Sequence, residues 1–354
     1  MKEHYRCHPK IIEFCNKRYY DNKLIAFSNE EHLKSEKPLV LYYTAEGNHM
    51  RKITRGNKLG TYNQRELDVI KDEVLKDDRI IDCKDEEIGI TTPYRLQANK
   101  MAACLEAEIE SDTIHKYQGR EKELMILSTV LDSSYWGKRG ISFVDDPCMI
   151  NVAVSRAINQ FVLVTDNRLF KENGKEIRSL IKYMKYNVLD AEIIQSNLIS
   201  VFDLLYKEYS KKLVELSNRL LNRSRFKSEN IMDTILNDEF KKDEYRDYDY
   251  TRDGILKNLF RDNGNLTEEE RRYFYNGAKV DFVIYEKMDN KPVLFIEVDG
   301  FAYHENNPEQ LKKDNLKDSI CKKNNIDVLR FATNGTFSEE KIIKKVRKSM
   351  FGKE

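Results

Sequence analysis

One run of residues, Ser111-Asp112-Thr113-Ile114-His115-Lys116-Tyr117-Gln118-Gly119-Arg120-Glu121, puts a hydroxyl, an imidazole, an amide, a glycine and a carboxylate in fixed order on one short segment. Gly119 is the residue type that lets backbone approach a ligand closely. Further on, Asn151-Val152-Ala153-Val154-Ser155-Arg156-Ala157 offers Arg156, a charge-delocalised set of donors. Thr91-Thr92-Pro93-Tyr94-Arg95 lies where an apolar run ends and a helix is expected to begin. Backbone N–H groups at such a point favour anions, so Thr92, Pro93 and Tyr94 are candidates to hold a nucleic-acid phosphate. Toward the C terminus, Asp281, Glu297 and Asp299 stand on two predicted strands. Three carboxylates brought together would bind Mg²⁺ or Mn²⁺, hard cations that activate water and stabilise charge on a phosphodiester.

Parity decides whether those acids can meet. Glu297 and Asp299, two apart on a strand, share a face. Directly opposed residues of an antiparallel hairpin also share one, so Asp281 joins them only if opposed residue numbers sum to an even value, which requires a loop of odd length. A tight two-residue turn at Asp289-Asn290 would instead set Asp281 against Val298, on the wrong face.

The segment Thr113 to Glu121 and the segment Asn151 to Ala157 resemble the fifth and sixth sequence motifs of superfamily 1 helicases. His4-Tyr5-Arg6-Cys7-His8-Pro9 resembles their fourth motif, with His4 where Gln is usual and Cys7 where Met is usual. The resemblance implies a second RecA-like domain of an ATP-driven motor. Thr113 and His115 would face nucleic acid. Gln118, Gly119 and Glu121 would face ATP, with Glu121 accepting from the ribose hydroxyls, and Arg6 would stand at the nucleotide site between two domains. Arg156 would be an arginine finger, a device worth about a thousandfold or more in turnover. The phosphate loop G-x-x-x-x-G-K-[ST] is missing; Gly56 and Gly60, the closest glycines, are not followed by Lys-Ser/Thr. The expectation is therefore that a first RecA-like domain, on a longer polypeptide or on a partner subunit, shares the ATP.

Lys279 to Tyr285 and Pro292 to Gly300 resemble the PD-(D/E)XK nuclease fold in the version shared with very-short-patch-repair endonucleases. The resemblance implies Asp281, Glu297 and Asp299 as catalytic, metal-binding acids; Glu229, at a Ser228-Glu229 helix start, is a weaker candidate for an additional metal-site acid. Asp299 stands where that fold normally has Lys, so Lys317 on the following helix, or His304, would replace it. The alternative is a non-catalytic module that binds nucleic acid, DNA being the expected partner.

The elements that must position these residues are legible as patterns. Leu39 to Tyr43, Ile88 to Thr91, Met125 to Val130 and Phe161 to Thr165 read as buried strands. Asn63 to Leu75, capped by Asn63 with Glu66 three residues on, and Arg95 to Ile109 read as helices. Strands alternating with helices imply a parallel sheet covered on both faces. Residues 1–175 are thus expected to be a RecA-like α/β domain and 176–225 a helical connector, with Leu204, Leu205, Leu213, Leu216, Leu220 and Leu221 at helical spacing. Residues 226–354 are expected to be an α/β domain like that of restriction endonucleases. Asp238 to Asp253, acidic and tyrosine-rich, reads as a solvated loop or edge. A net charge of +1 leaves nucleic-acid binding to local clusters. Six cysteines without a C-x-x-C pair fit reduced thiols, and no apolar run reaches membrane-spanning length. A soluble, cytoplasmic protein is expected.

Overall fold

The structure is a computed structural model and describes residues 3–27, 35–54, 59–117, 119–189, 192–206, 209–261, 264–300 and 308–352. Gln118 and His304 lie outside the described residues. The chain divides into two compact units, the first running to Leu198 and the second from Ile199 onward, with Ile53 and Thr54 grouped with the second.

In the first unit the apolar runs form β1 (Leu39–Tyr43), β2 (Ile88–Thr92), β3 (Glu110–Thr113), β4 (Lys122–Ser128), β5 (Ala157–Thr165) and β6 (Ile193–Gln195). They make one parallel sheet in the order β6-β1-β5-β4-β2-β3. The runs are continuously apolar because both faces are covered. On one face Leu39, Leu41, Met125, Leu127, Phe161 and Leu163 pack under α1 (Pro9–Tyr19), α5 (Pro147–Ser155) and α6 (Glu176–Asn187). On the other, Val40, Tyr42, Ile90, Ile126 and Val162 meet Leu67, Val69 and Ile70 of α2 (Gln64–Asp72). Helix α3 (Arg95–Ala102) ends seven residues short of the expected Ile109, and α4 (Tyr135–Val144) follows β4.

Asn63 caps α2 as its sequence suggests, its side chain accepting from the Glu66 N–H at 3.2 Å. Glu66 does not reach back to complete the box. It is fully buried and accepts from Ser128 Oγ at 2.6 Å, Thr129 Oγ1 at 3.1 Å and Val130 N at 2.8 Å. Val130 has a φ of +71°, a conformation β-branched residues avoid; Glu66 holds its N–H while the Asn63 amide donates to its carbonyl at 3.0 Å. That reversal ends β4 two residues before the apolar run itself ends at Val130.

The connector expected over 176–225 is not a separate element. Ile177, Leu180, Ile181 and Met184 of α6 are buried in the first unit's core, and β6 extends its sheet. The leucines beyond Ile199 belong to the second unit: Leu204, Leu205, Leu213 and Leu216 sit on the short 3₁₀ turns Val201–Leu205 and Lys211–Leu213 and the helix Val214–Asn218, and Leu220 and Leu221 follow that helix in irregular chain. Leu204, Leu213 and Leu216 are buried, but Ser200 and Ser210 caps break the backbone into single turns.

The second unit runs α7 (Lys227–Glu239), β7 (Tyr248–Ile255), α8 (Glu268–Tyr275), β8 (Lys279–Glu286), β9 (Pro292–Asp299), α9 (Pro308–Lys323), β10 (Asp327–Ala332) and α10 (Glu339–Phe351). Its sheet order is β7-β8-β9-β10; β7-β8 and β8-β9 pair antiparallel, and β9-β10 pair parallel across α9. The tyrosine-rich stretch supplies β7, an edge strand.

Burial pushes the Glu66 carboxyl up to about 8 from 4.5, outweighing its three donors. Between those values the folded state keeps a proton that the unfolded chain releases, so the first unit loses stability as pH rises through that window. Thermal unfolding of the wild-type chain should show the decline. Glu66→Gln, which keeps the shape without the ionisation, should flatten it; an unchanged slope would exclude Glu66 as its source.

Candidate functional site

Three distant segments meet at the amino ends of β4 and β5. Lys122 opens β4 opposite Ala157, which opens β5, and the Lys122 N–H donates to the Arg156 carbonyl at 3.1 Å. Glu121 and Arg156 therefore immediately precede paired strand starts, and Arg156 Nη1 lies 3.6 Å from Glu121 Oε1. The third segment is pinned there by the His8 N–H, which donates to the Ile158 carbonyl at 2.7 Å, and by Cys7 Sγ, 3.3 Å from the Ser155 carbonyl. Arg6 Nη1 then reaches Glu121 Oε1 at 2.6 Å. The result is one carboxylate between two guanidinium groups, with His4 beside it; burial, Arg6 and Arg156 lower the imidazole's pKa.

Arg156 ends α5, which Asp146 caps and Pro147 starts. Its Nε is buried without a hydrogen-bond partner among the described residues. A buried unpaired donor costs roughly 1–3 kcal/mol, and an anionic ligand bound there would offset it. Gly119 has a φ of +87°, and a Cβ there would meet nothing within 4 Å, so the backbone rather than crowding calls for glycine.

Thr113 closes β3 at the carboxyl edge of the sheet, whereas Glu121 immediately precedes β4 at the amino edge. Residues 113–121 thus run from one edge to the other. At the carboxyl edge the expected nucleic-acid contacts are less displayed than the sequence suggested. Thr92, Pro93 and Thr113 are buried, His115 is exposed and Tyr94 is half-buried against Phe143. Burial follows from position: β2 is an interior strand, and its carboxyl end leads directly into α3. Thr92 Oγ1 is buried without a partner among the described residues, while Thr113 Oγ1 accepts from Arg95 Nη2 at 3.1 Å. Arg95 also pairs with Asp112, a clamp not foreseen in the sequence.

In the second unit the hairpin meets the parity condition by a route other than loop length. The Glu286 N–H donates to the Lys291 carbonyl, and Tyr285 opposes Pro292, an odd sum. A bulge between Ile284 and Tyr285 then shifts the register, so that Ile284 opposes Leu294 and Phe282 opposes Ile296. Carried on by one residue, the pairing sets Asp281 against Glu297, on one face with Asp299. Glu297 also opposes Arg330 of β10.

The side chains on that face are paired with one another. Lys317 Nζ of α9 donates to both Glu297 oxygens at 2.8 Å, and both residues are buried. Asp281 Oδ2 accepts from the Val298 N–H at 2.8 Å. Arg330 Nη1 lies 3.4 Å from Asp299 and Nη2 lies 2.7 Å from Asp318. Arg330, unremarked in the sequence, also lines an open cleft of about 630 Å³ with Asp318 and Lys322. Burial raises the pKa of Asp281 and of Glu297, with Lys317 opposing in both. Glu229, in the first turn of α7, accepts from Ser224, and its charge is felt at Asp281. Among the described residues no three His, Cys, Asp or Glu side chains are grouped to hold a metal ion. The expected triad thus shares a face but does not fit a divalent ion as it stands, because Lys317 and Arg330 already occupy two of its carboxylates.

Comparison with known proteins separates the two units. Residues 1–168 match the family described as AAA domain. Residues 263–350 match a family described as a protein of unknown function (DUF2726). DNA polymerase alpha-associated DNA helicase A of Saccharomyces cerevisiae is 26% identical over 204 residues, 51% of this chain and 28% of that protein. DNA replication ATP-dependent helicase/nuclease DNA2 of Gallus gallus is 29% identical over 164 residues, 45% of this chain and 16% of that protein. Regulator of nonsense transcripts 1 homolog of Drosophila melanogaster is 25% identical over 237 residues, 62% of this chain and 19% of that protein. The chain thus spans less than a third of these relatives. Together with the parallel six-stranded sheet, the matches support a superfamily 1 helicase RecA-like domain in the first unit. No helix among the described residues is long and apolar enough to cross a membrane.

Lys317→Met would leave the buried Glu297 carboxylate beside Asp281. Breaking a buried pair in this way should destabilise the second unit by about 3–5 kcal/mol, measured by urea unfolding followed by circular dichroism. Adding Glu297→Gln to that variant should recover most of the loss, and failure to recover would show that the pair does not act as one.

Proposed function

We propose that the first unit is the second RecA-like domain of an ATP-dependent superfamily 1 helicase. The observation that carries this reading is the Arg6–Glu121–Arg156 cluster, in which three separate sequence segments converge at the amino ends of β4 and β5. Glu121 is the acceptor for the ribose hydroxyls, and Gly119 gives the ligand close access to backbone, with Gln118 on the same segment. Arg6 and Arg156 stabilise negative charge on the phosphates, Arg156 as the finger. Thr92, Pro93, Tyr94, Thr113 and His115 belong to the nucleic-acid edge. ATP turnover in this reading needs a first RecA-like domain, from the same polypeptide or a partner subunit, to hold the phosphates and their Mg²⁺.

The second unit is read as a nuclease-like module acting on DNA in processing, repair or defence. What favours it is the mixed four-stranded sheet with Asp281, Glu297 and Asp299 on one face and Lys317 against Glu297. Because these acids are already paired, no metal-dependent step is assigned to them. A module that binds DNA without cutting is the second reading, and the same pairing favours it.

Arg156→Ala should abolish the ATPase of the complete motor, falling about a thousandfold or more, while circular dichroism of this chain is unchanged. Normal turnover in the variant would exclude the finger. For the second unit, labelled single- and double-stranded DNA should be incubated with Mg²⁺ or Mn²⁺. Cutting that disappears in Asp281→Ala and Glu297→Ala identifies a nuclease; retention of DNA without cutting identifies the binding module.

A further inference from the structure

Helix α4 carries three large aromatic side chains at the surface: Tyr135, Trp136 and Phe143, 66%, 51% and 45% exposed. Trp136 is the only tryptophan in the chain. The rings sit among cations. Lys52 Nζ is 4.7 Å from the Trp136 ring centre, and Arg139 Cζ is 5.6 Å from Trp136 and 5.7 Å from Tyr135. Arg139 Nη1 also donates to the Tyr135 hydroxyl at 3.0 Å. The two rings stand 5.3 Å apart at 72°.

Position gives the cluster its direction. Helix α4 follows the carboxyl end of β4, the edge at which Thr113 closes β3 and Tyr94 follows β2. Phe143 packs on Tyr94 at 5.4 Å, so the patch is continuous with a residue proposed above as a nucleic-acid contact. The backbone fixes the presentation. A Cβ on Gly137 would lie 2.0 Å from the Asp132 carbonyl oxygen, so only glycine lets the helix start this close to β4, with Ser134 capping it.

Exposed aromatics interleaved with lysine and arginine complement a single strand. Unpaired bases supply π faces for the rings, and phosphates supply anions for the cations. A duplex hides its base faces, and a purely apolar partner would leave Lys52 and Arg139 without counter-charge. We propose that Trp136 and Tyr135, with Lys52 and Arg139, form a stacking platform for unpaired bases at the carboxyl edge of the first unit's sheet. Binding moves the two cations from the rings onto the flanking phosphates. The platform rests on the helicase reading, but it adds a contact outside the helicase-like motifs.

Trp136 is its own reporter. Titrating the whole chain with oligothymidylate and oligouridylate should quench the tryptophan emission saturably, and more weakly as salt rises, whereas a blunt duplex should not. In anisotropy with a labelled oligonucleotide, Trp136→Ala should weaken binding about tenfold and Trp136→Phe should restore most of it. Lys52→Ala and Arg139→Ala should each lower the slope of log affinity against log salt by about one. Anisotropy that shows binding with unchanged emission, and equal affinity in Trp136→Ala, overturns the platform and leaves the motor reading intact. Failure to bind either strand by either readout overturns both. Self-association in sedimentation that Trp136→Ala abolishes makes the patch an interface between copies, which also overturns the platform.

Discussion

The parallel pairing of β4 with β5 is the constraint on which the first unit depends. Once Lys122 stands opposite Ala157, residues on either side of a long excursion must meet at one edge, because parallel strands begin together. Glu121 and Arg156 have no choice about their proximity; only their side-chain identities are specific. The parallel pairings of β2 with β4 and with β3 send their carboxyl ends, with that of β4, to the opposite edge. Thr113 at one edge and Glu121 at the other thus lie only eight residues apart in the chain.

Two buried carboxylates show how differently one chain accommodates charge. Glu66 is surrounded by neutral donors, Ser128, Thr129 and the Val130 N–H, so burial dominates and the proton is retained. It acts as a structural clamp, holding a valine in a conformation that strands do not use. Glu297 instead has Lys317 on both oxygens, and the attraction of that cation opposes its desolvation in part, burial still raising its pKa. The first arrangement closes a strand. The second sets a cation among three acids on one face, and it also occupies oxygens that an ion would need.

Much of the first unit was readable because its signals are local and redundant. Continuous apolar runs gave the interior strands, and Asn63 gave a helix start that the structure uses. Signals failed where tertiary context changed their meaning. Glu66 fits a capping box by spacing, but a hydrogen-bonding cavity at the end of β4 takes its carboxylate. Of the leucines at helical intervals beyond Ile199, Leu204, Leu213 and Leu216 are buried, yet serine caps divide the segment into single turns. Thr92 and Thr113 are hydroxyls of the expected type whose strand positions bury them. Arg95 and Arg330 escaped notice because a lone arginine carries no pattern, and its partners are distant in sequence.

What the sequence alone determined is the inventory: which segments carry the hydroxyls, arginines and carboxylates in helicase-like and nuclease-like order, and that two α/β units hold them. What only the tertiary structure decided is adjacency and occupancy. The hairpin makes the point: its loop would have put Asp281 on the wrong face, and the bulge at Ile284 and Tyr285 returned it to the face of Glu297. A bulge is a backbone response to sheet twist and packing rather than a property of any one residue. Which carboxylate oxygen meets which cation is likewise set by where helices land on a sheet, and that depends on the whole core at once.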